Sequence, residues 1–336
     1  MTMKEPTVLT IILNYRTPEM TLKSLAAAIE AMEGIAGEIT VVENGSGDDS
    51  HDLLAAEIDA RGWARQGRVT LRRAARNGGF GAGNNLAMRA GLSDGRQPDV
   101  FYLLNSDAFP APDAIRKLLD FMARNRQVGL AGSRIEGVDG TPHQTAFRFP
   151  SIAGELEGAA RTGLLTRLLR DAVVPLPLPE GTARVDWVAG ASLMLRRRML
   201  DAIGLFDEGF FLYFEETDLC RRAARAGWET FYVASSRVRH IGSYSTGMKR
   251  WHRTPRYWFD SRLRYFTKAH GPAYAGFATL ARIGGGALWR ARVAASNRPL
   301  GDPPHFLRDL AWHHVSHLWA RSQRPPAQEP ATEDSK

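Results

Sequence analysis

The sequence predicts an α/β protein built on a mostly parallel, doubly wound sheet. Three observations carry this. The first apolar stretch, "PTVLTIILNY", is a continuous β-branched run of the kind buried on both faces of a parallel sheet. Strand-like and helix-like segments then alternate along the first 136 residues. Successive strands also end in polar loops, which places a ligand at their carboxyl ends.

The elements follow in order. After "PTVLTIILNY", Thr17 and Pro18 open a helical pattern through Leu22, Leu25, Ala26 and Ile29 that ends near Gly34. "EITVVENGSGDD" is a second strand, broken at Asn44 and Gly45, and another helix follows it. "RVTLRRAARNGGFGAGNN" supplies a third strand and a glycine-rich turn, with the next helix expected over residues 84–92. "DVFYLLNSD" is the fourth strand, followed by a Pro-bracketed loop, a helix over 112–125 and the strand "VGLAGSRIE". Residues 141–182 are less regular, with one amphipathic helix and the loop "VVPLPLPEGT". The stretch 184–246 reads as strand, helix, aromatic loop, helix, strand and loop. From Trp251 to about Arg321 the pattern is helical, basic and aromatic, and "RPPAQEPATEDSK" has the composition of a frayed tail.

Length and composition bound the functions. With 336 residues the chain forms one large domain, or one domain with an appendage. Apolar residues at 44% and charged residues at 24% are ordinary for a globular protein. The charge is unevenly placed. Between Arg239 and Arg324 fifteen Lys or Arg face three acids, a net of +12 in a chain whose total is +8. That segment also holds five of the eight tryptophans. The single cysteine, Cys220, excludes an intramolecular disulfide and fits a reducing compartment. No secretory leader or membrane span is expected, which points to the cytoplasm.

Polar residues cluster at the strand exits. Asn14 and Tyr15 close the first strand, and Glu43, Asn44, Ser46 and Asp48 the second. Such groups can bind a nucleobase or ribose, and they are also what turns are made of. In "RNGGFGAGNN" the glycines allow close backbone approach, Arg76 can face phosphate, and a helix N-terminus favours an anion. The spacing Gly79-x-Gly81-x-Gly83 is not the Gly-x-Gly-x-x-Gly of a dinucleotide fold, which argues against NAD. Asp107 lies at the mouth of a buried strand, where an unpaired carboxylate is expensive to desolvate. A divalent cation shared with a diphosphate would offset that cost. Asn105 points to the same side, and an Asx-turn before Pro110 is the structural alternative. "GFFLYFEETDLCRRAARAGW" puts Glu215, Glu216 and Asp218 after an aromatic loop. They could complement the helix dipole, or an apolar wall could raise a carboxyl into the range of a general base. "VRHIGSYST" adds His240, a plausible metal ligand, with Ser243, Ser245 and Thr246 as phosphate-binding hydroxyls.

Asn14 with Tyr15, "VVENGSGDDS", "RNGGFGAGNN", "LLNSDA", "WVAGASLMLRR", "FFLYFEETDLCRRAARAGW" and "VRHIGSYST", in this order, resemble the inverting glycosyltransferases of family 2, closest to a bacterial rhamnosyltransferase-like branch. The likeness spans roughly residues 7–250. It implies the GT-A fold over 1–250, with a nucleotide-binding half to about 135 and an acceptor half over 136–250. A basic helical extension over 251–322 and a disordered tail over 323–336 would follow. It further implies that Asn14, Glu43, Asn44 and Asn77 line a nucleoside pocket, to which Tyr15, Ser46, Asp48, Arg76, Gly79, Phe80, Asn84, Asn105 and Ser106 add donor contacts. Asn105 and Asp107 stand where the family has Asp-x-Asp, with Asn in place of the first acid. Asp107 and His240 would hold Mn2+ or Mg2+. Trp187, Gly190 and Ala191 correspond to the acceptor and sugar loop. Glu216, with Glu215 beside it, corresponds to the base; relatives usually carry Glu-Asp there. Asp218 would hold the loop or an acceptor hydroxyl.

The implied reaction moves a sugar, L-rhamnose from dTDP-rhamnose as the leading expectation, onto a saccharide or polyprenyl-diphosphate-linked acceptor in surface polysaccharide synthesis. A sugar nucleotidyltransferase would need a Gly, Arg and Lys-rich loop after the first strand, and "NYRTPEMT" is not that loop. A non-catalytic saccharide- or nucleotide-binding scaffold is the other alternative. For the extension two readings stay open: docking on the inner face of an anionic membrane, or packing as an accessory lobe. Nucleic acid is not an expected partner, since no recognition motif accompanies the basic residues.

Overall fold

A computed structural model describes residues 5–65, 68–242, 251–296 and 301–322. The strand-forming runs pair where their side chains can be buried on both faces. In chain order the elements are β1 (Val8–Asn14), α1 (Pro18–Ala31), β2 (Gly37–Glu43), α2 (Ser50–Ala60), β3 (Val69–Arg73), α3 (Gly79–Ala90), β4 (Val100–Asn105), β5 (Ala108–Pro110), α4 (Ala114–Arg124) and β6 (Val128–Glu136). Next come β7 (Ala146–Phe147), α5 (Ile152–Ala160), α6 (Gly163–Leu168), a 3-10 turn, β8 (Ala183–Val185), β9 (Trp187–Val188), β10 (Ser192–Arg196), α7 (Arg197–Ile203), α8 (Glu215–Arg225) and β11 (Glu229–His240). Three helices follow: α9 (Arg256–His270), α10 (Pro272–Ala294) and α11 (Phe306–Ser322).

Nine strands form the main sheet, in the order β3-β2-β1-β4-β10-β6-β11-β5 with β8 also on β11. Alternate residues of β1 serve opposite faces. Val8 and Ile12 pack with Leu25 of α1 and Leu118 of α4, and Leu9 and Ile11 with Met88 of α3 and Leu219 of α8. Parallel register aligns the strand exits: Asn14 sits opposite Glu43, Glu43 opposite Arg73, and Leu13 opposite Asn105.

Two local features depart from the sequence expectation. α3 begins at Gly79 rather than at residue 84, so the glycine-rich segment forms the first turn of the helix itself. The Pro-bracketed loop contains β5, which pairs antiparallel with the end of β11. β10 also runs antiparallel, between β4 and β6, with Ser192 opposite Leu104. That reversal starts β10 at the edge where the parallel strands end. It thereby delivers the preceding Gly190 and Ala191 to the site, and the Asn105 N–H donates to the Ala191 carbonyl at 3.1 Å.

The extension packs as a lobe. Arg262 of α9 is 1% exposed and donates to Glu155 of α5 at 2.7 Å and to Thr279 of α10 at 3.1 Å. α10 approaches α5 so closely that a methyl group on Gly285 would lie 2.6 Å from the Leu156 carbonyl oxygen. Phe259 packs with Phe306, Leu307 and Leu310 of α11. The tail over 323–336 lies outside the described residues, as do Ser243, Ser245 and Thr246. Among the described residues no helix is long and apolar enough to cross a membrane.

Candidate active site

A cavity of about 300 Å3 opens at the aligned strand exits. Leu13 and Tyr15 follow from β1, Asn44 from β2, Asn77, Gly79 and Phe80 from the start of α3, and Asn105 and Ser106 from β4. The far wall is Phe211, Leu212 and Tyr257, none of them anticipated from the sequence as site residues. The aromatic run before Glu215 was the available signal for the first two; nothing local marked Tyr257, which arrives from α9.

The polar wall is a bonded frame. Asn77 Oδ1 accepts from Asn44 Nδ2 at 3.1 Å and from the Gly79 N–H at 2.9 Å. Asn44 Nδ2 also donates to the Gly79 carbonyl at 3.2 Å. Asn44 Oδ1 is left buried without a partner. A buried acceptor on a cavity wall is one that an imino or hydroxyl donor would satisfy. Phe80 N–H donates to the Phe211 carbonyl at 3.1 Å and ties the two walls together.

Several anticipated residues stand behind this wall. Asn14 is fully buried, and its Oδ1 accepts from Thr21 at 2.8 Å and from the Thr17 N–H at 3.3 Å, fixing the start of α1. Glu43 accepts the Ser46 N–H at 2.7 Å, and Ser46 Oγ accepts the Arg16 N–H at 2.9 Å. Asp48 caps the next turn by accepting the Ser50 N–H at 3.0 Å, and bonds to Ser50 hold its carboxyl below the usual range. Asn84 donates to the Phe80 carbonyl at 2.9 Å, and Arg76 is exposed. Trp187 stacks on Phe147 at 4.1 Å and donates to the Arg148 carbonyl, away from the cavity.

Asp107 and His240 meet as β5 pairs with β11. His240 Nε2 lies 2.9 Å from Asp107 Oδ1 and 3.4 Å from Asn105 Nδ2. A carboxylate and a carboxamide that both meet the His240 imidazole are residue types that suit a divalent cation of hard or borderline character. Among the described residues no group of three or more His, Cys, Asp or Glu could hold a metal. A cation here would take its other ligands from water or a bound diphosphate.

The acidic pair begins α8. Tyr213 and Phe214 precede it with φ of 70° and 68°, left-handed backbone that bulky residues seldom adopt. The turn is held by packing, with Phe214 against Trp258 at 6.0 Å and Tyr265 at 5.5 Å. A methyl group on Gly190 would lie 3.2 Å from Phe80 Cζ and 3.9 Å from Glu216 Oε1. Glu216 therefore sits just across Gly190 from the cavity's aromatic wall. Burial raises its carboxyl above the usual range, against backbone N–H bonds, including that of Gly190, which lower it. Burial raises Glu215 further, with the Glu216 charge adding to the effect. Glu215 Oε2 and Glu216 Oε2 are both buried without a partner. Asp218 is committed elsewhere: it accepts from Arg222 at 2.8 Å and from Lys268 of α9 at 2.8 Å.

The chain has counterparts among known proteins. The profile described as glycosyltransferase-like family 2 matches residues 6–264. The chain belongs to this family. Among its relatives, the N-acetylglucosaminyl-diphospho-decaprenol L-rhamnosyltransferase of Mycobacterium tuberculosis is 32% identical over 155 residues, 44% of this chain and 49% of that protein. The present chain thus spans about half the length of that relative. The rhamnosyltransferase WbbL of Escherichia coli is 24% identical over 56% of this chain and 70% of its own length. The mannosyltransferase PcManGT of Pyrobaculum calidifontis, solved with GDP-Man and Mn2+, superposes with a TM-score of 0.54 at 15% identity, covering 95% of this chain and 81% of that one. This family 2 chain has the GT-A fold, with a helical C-terminal region.

Proposed function

We propose that this family 2 chain is an inverting hexosyltransferase that moves a sugar, L-rhamnose from dTDP-rhamnose as the first choice, to a hydroxyl of a saccharide or polyprenyl-diphosphate-linked saccharide. The observation that carries the reading is Glu216: a buried carboxyl with one unpartnered oxygen, across Gly190 from a cavity framed by Asn44, Asn77 and Asn105. The names of the mycobacterial and Escherichia coli relatives favour rhamnose, and the mycobacterial name a lipid-linked acceptor.

In this reading Asn44 Oδ1 accepts from the base and Tyr15, Phe80 and Tyr257 enclose it. Asp107, His240 and Asn105 would hold Mn2+ or Mg2+, which when bound neutralises the diphosphate. Glu216 takes the proton of the acceptor hydroxyl as its oxygen bonds to the anomeric carbon. The bond from that carbon to the β-phosphate oxygen breaks, the nucleoside diphosphate leaves, and the configuration inverts. Burial and the neighbouring Glu216 charge raise the Glu215 carboxyl more than that of Glu216, which favours Glu216 as the base. The nucleotide-binding half over 1–135 supplies the polar wall and the acceptor half over 136–250 the base. In this reading the reaction runs on the cytoplasmic side of a membrane.

Thermal shift with dTDP, UDP and GDP, each with and without Mn2+ or Mg2+, tests the site. Metal-dependent stabilisation by dTDP is expected, lost in Asp107→Ala. Glu216→Gln should lower turnover about 10²–10⁴-fold while leaving nucleotide binding intact. Absence of any nucleotide effect at saturation would overturn the reading.

A further inference from the structure

α10 is apolar on both sides. Its inner face is buried through Ala275, Ala278, Gly285, Gly286 and Trp289. Its outer face is exposed, yet every exposed position from Pro272 to Ala291 is Pro, Ala, Gly, Phe or Leu. Phe277, Leu280 and Leu288 are 61%, 64% and 43% exposed and fall on one helical stripe with Gly284. A helix whose outward stripe is apolar as well as its inward one ordinarily has something packed on both.

The neighbouring helix repeats the pattern. α11 runs antiparallel to α10, since Gly276 lies beside His314 and Gly286 beside Leu307. Its outward residues Trp312, Val315 and Trp319 are 72%, 56% and 69% exposed at spacings of three and four. Arg308, whose side chain is 63% exposed, continues that stripe one turn earlier. Contiguous exposed apolar surface of this kind marks an interaction site rather than ordinary solvent-facing surface.

We infer that the outer faces of α10 and α11 form a docking surface for an anionic lipid bilayer, with Phe277, Leu280 and Leu288 entering the acyl boundary and Trp312 and Trp319 at headgroup level. Charge complementarity selects this occupant. Arg292, exposed one turn beyond Leu288, and Arg308 at the matching end of α11 border the apolar stripes with cations, which anionic headgroups attract and a second copy of the same face would repel. Since no described helix can span a bilayer, the contact is peripheral. The inference supplies the membrane contact that a lipid-linked acceptor needs, but it rests on exposure and charge and survives if the donor or acceptor proposed above is wrong.

The test is co-sedimentation of the full chain with vesicles of phosphatidylcholine and phosphatidylglycerol, three to one, against phosphatidylcholine alone. The wild type is expected to partition to the anionic vesicles, less so in high salt, and the Phe277→Glu, Leu280→Glu double variant at least tenfold less. Sedimentation equilibrium should find both monomeric. Should the α10 variant not fold, Trp312→Ser with Trp319→Ser makes the same test. Wild type left in the supernatant, equal partition of variant and wild type, or a wild-type dimer dissociated by the variant would each overturn the inference. Turnover on a water-soluble acceptor without vesicles is expected to be equal in the two proteins. Its absence in both would count against the catalytic reading alone.

Discussion

Replacing Gly79 by Ala tests the joint between the two cavity walls. Gly79 has φ of +87°, and a methyl group there would lie 1.8 Å from the Phe211 carbonyl oxygen. A carbon and an oxygen approach to about 3.3 Å at closest, so Phe211 must retreat by about 1.5 Å. Left-handed backbone in a non-glycine residue costs roughly 1–2 kcal/mol. Losing the bond from the Phe80 N–H to the Phe211 carbonyl removes about 1 kcal/mol more. At about 2.1 cal/mol/K of unfolding entropy per residue, a loss of roughly 2–3 kcal/mol in a chain of 336 residues corresponds to a Tm lower by about 3–4 °C. Gly95→Ala is the control: its φ is +81°, but nothing lies within 4 Å of the added methyl, so only the backbone strain remains. Differential scanning calorimetry should rank wild type above Gly95→Ala above Gly79→Ala. Titration with dTDP should show at least a tenfold weaker affinity for Gly79→Ala alone, because Phe211 and Leu212 leave the cavity wall together. Equal melting of the two variants with unchanged nucleotide affinity would refute the reasoning.

Burial holds the Glu216 pKa above the usual range, so the base ionises late and the acid limb of kcat should lie above the ordinary glutamate region. The same shift means the folded state holds this proton more tightly than the unfolded one. Stability from this group is therefore present at acid pH and declines as pH rises from the ordinary range through the raised value, a slope that Glu216→Gln should flatten in pH-dependent denaturant melts. Arg262→Met leaves Glu155 buried with, among the described residues, the 3.4 Å contact to Arg282, and should cost about 3 kcal/mol in urea unfolding. Adding Glu155→Gln should recover most of it. Tyr257→Ala removes one cavity wall without touching the strand exits, and should weaken dTDP about fivefold, near 1 kcal/mol of aromatic contact, by calorimetric titration.

The parallel sheet was legible because its strands are β-branched runs that end in polar turns, and the exits of β1, β2 and β4 follow from that pattern. The polarity of β10 was not legible. Ser192–Arg196 reads like any buried strand, and only its pairing beside β4 shows that it starts at the site. The start of α3 was misplaced because glycines have poor helix propensity. Here the Phe211 carbonyl takes the Phe80 N–H and Asn77 takes that of Gly79, so long-range bonds override local preference. Glu43 and Asn14 were recognisable as polar strand ends, but their turn to Ser46 and Thr21, behind the cavity, depends on side-chain directions that spacing does not encode.

The least legible part is the dependence of the acidic pair on the extension. Two successive aromatic residues in left-handed backbone cost of order 1–3 kcal/mol each and persist only where the surroundings over-determine them. At Tyr213 and Phe214 those surroundings are supplied by α9 and the residue leading to it: Trp258 and Tyr265 against Phe214, Tyr257 and Trp251 against Tyr213. Lys268 adds an ion pair to Asp218 one turn into α8. The helix that carries Glu215 and Glu216 is thus aimed from outside the sheet. Cutting the chain near residue 250 would remove the cavity wall at Tyr257 and the packing that holds the turn, so the extension belongs to the site's architecture whatever its outer face touches.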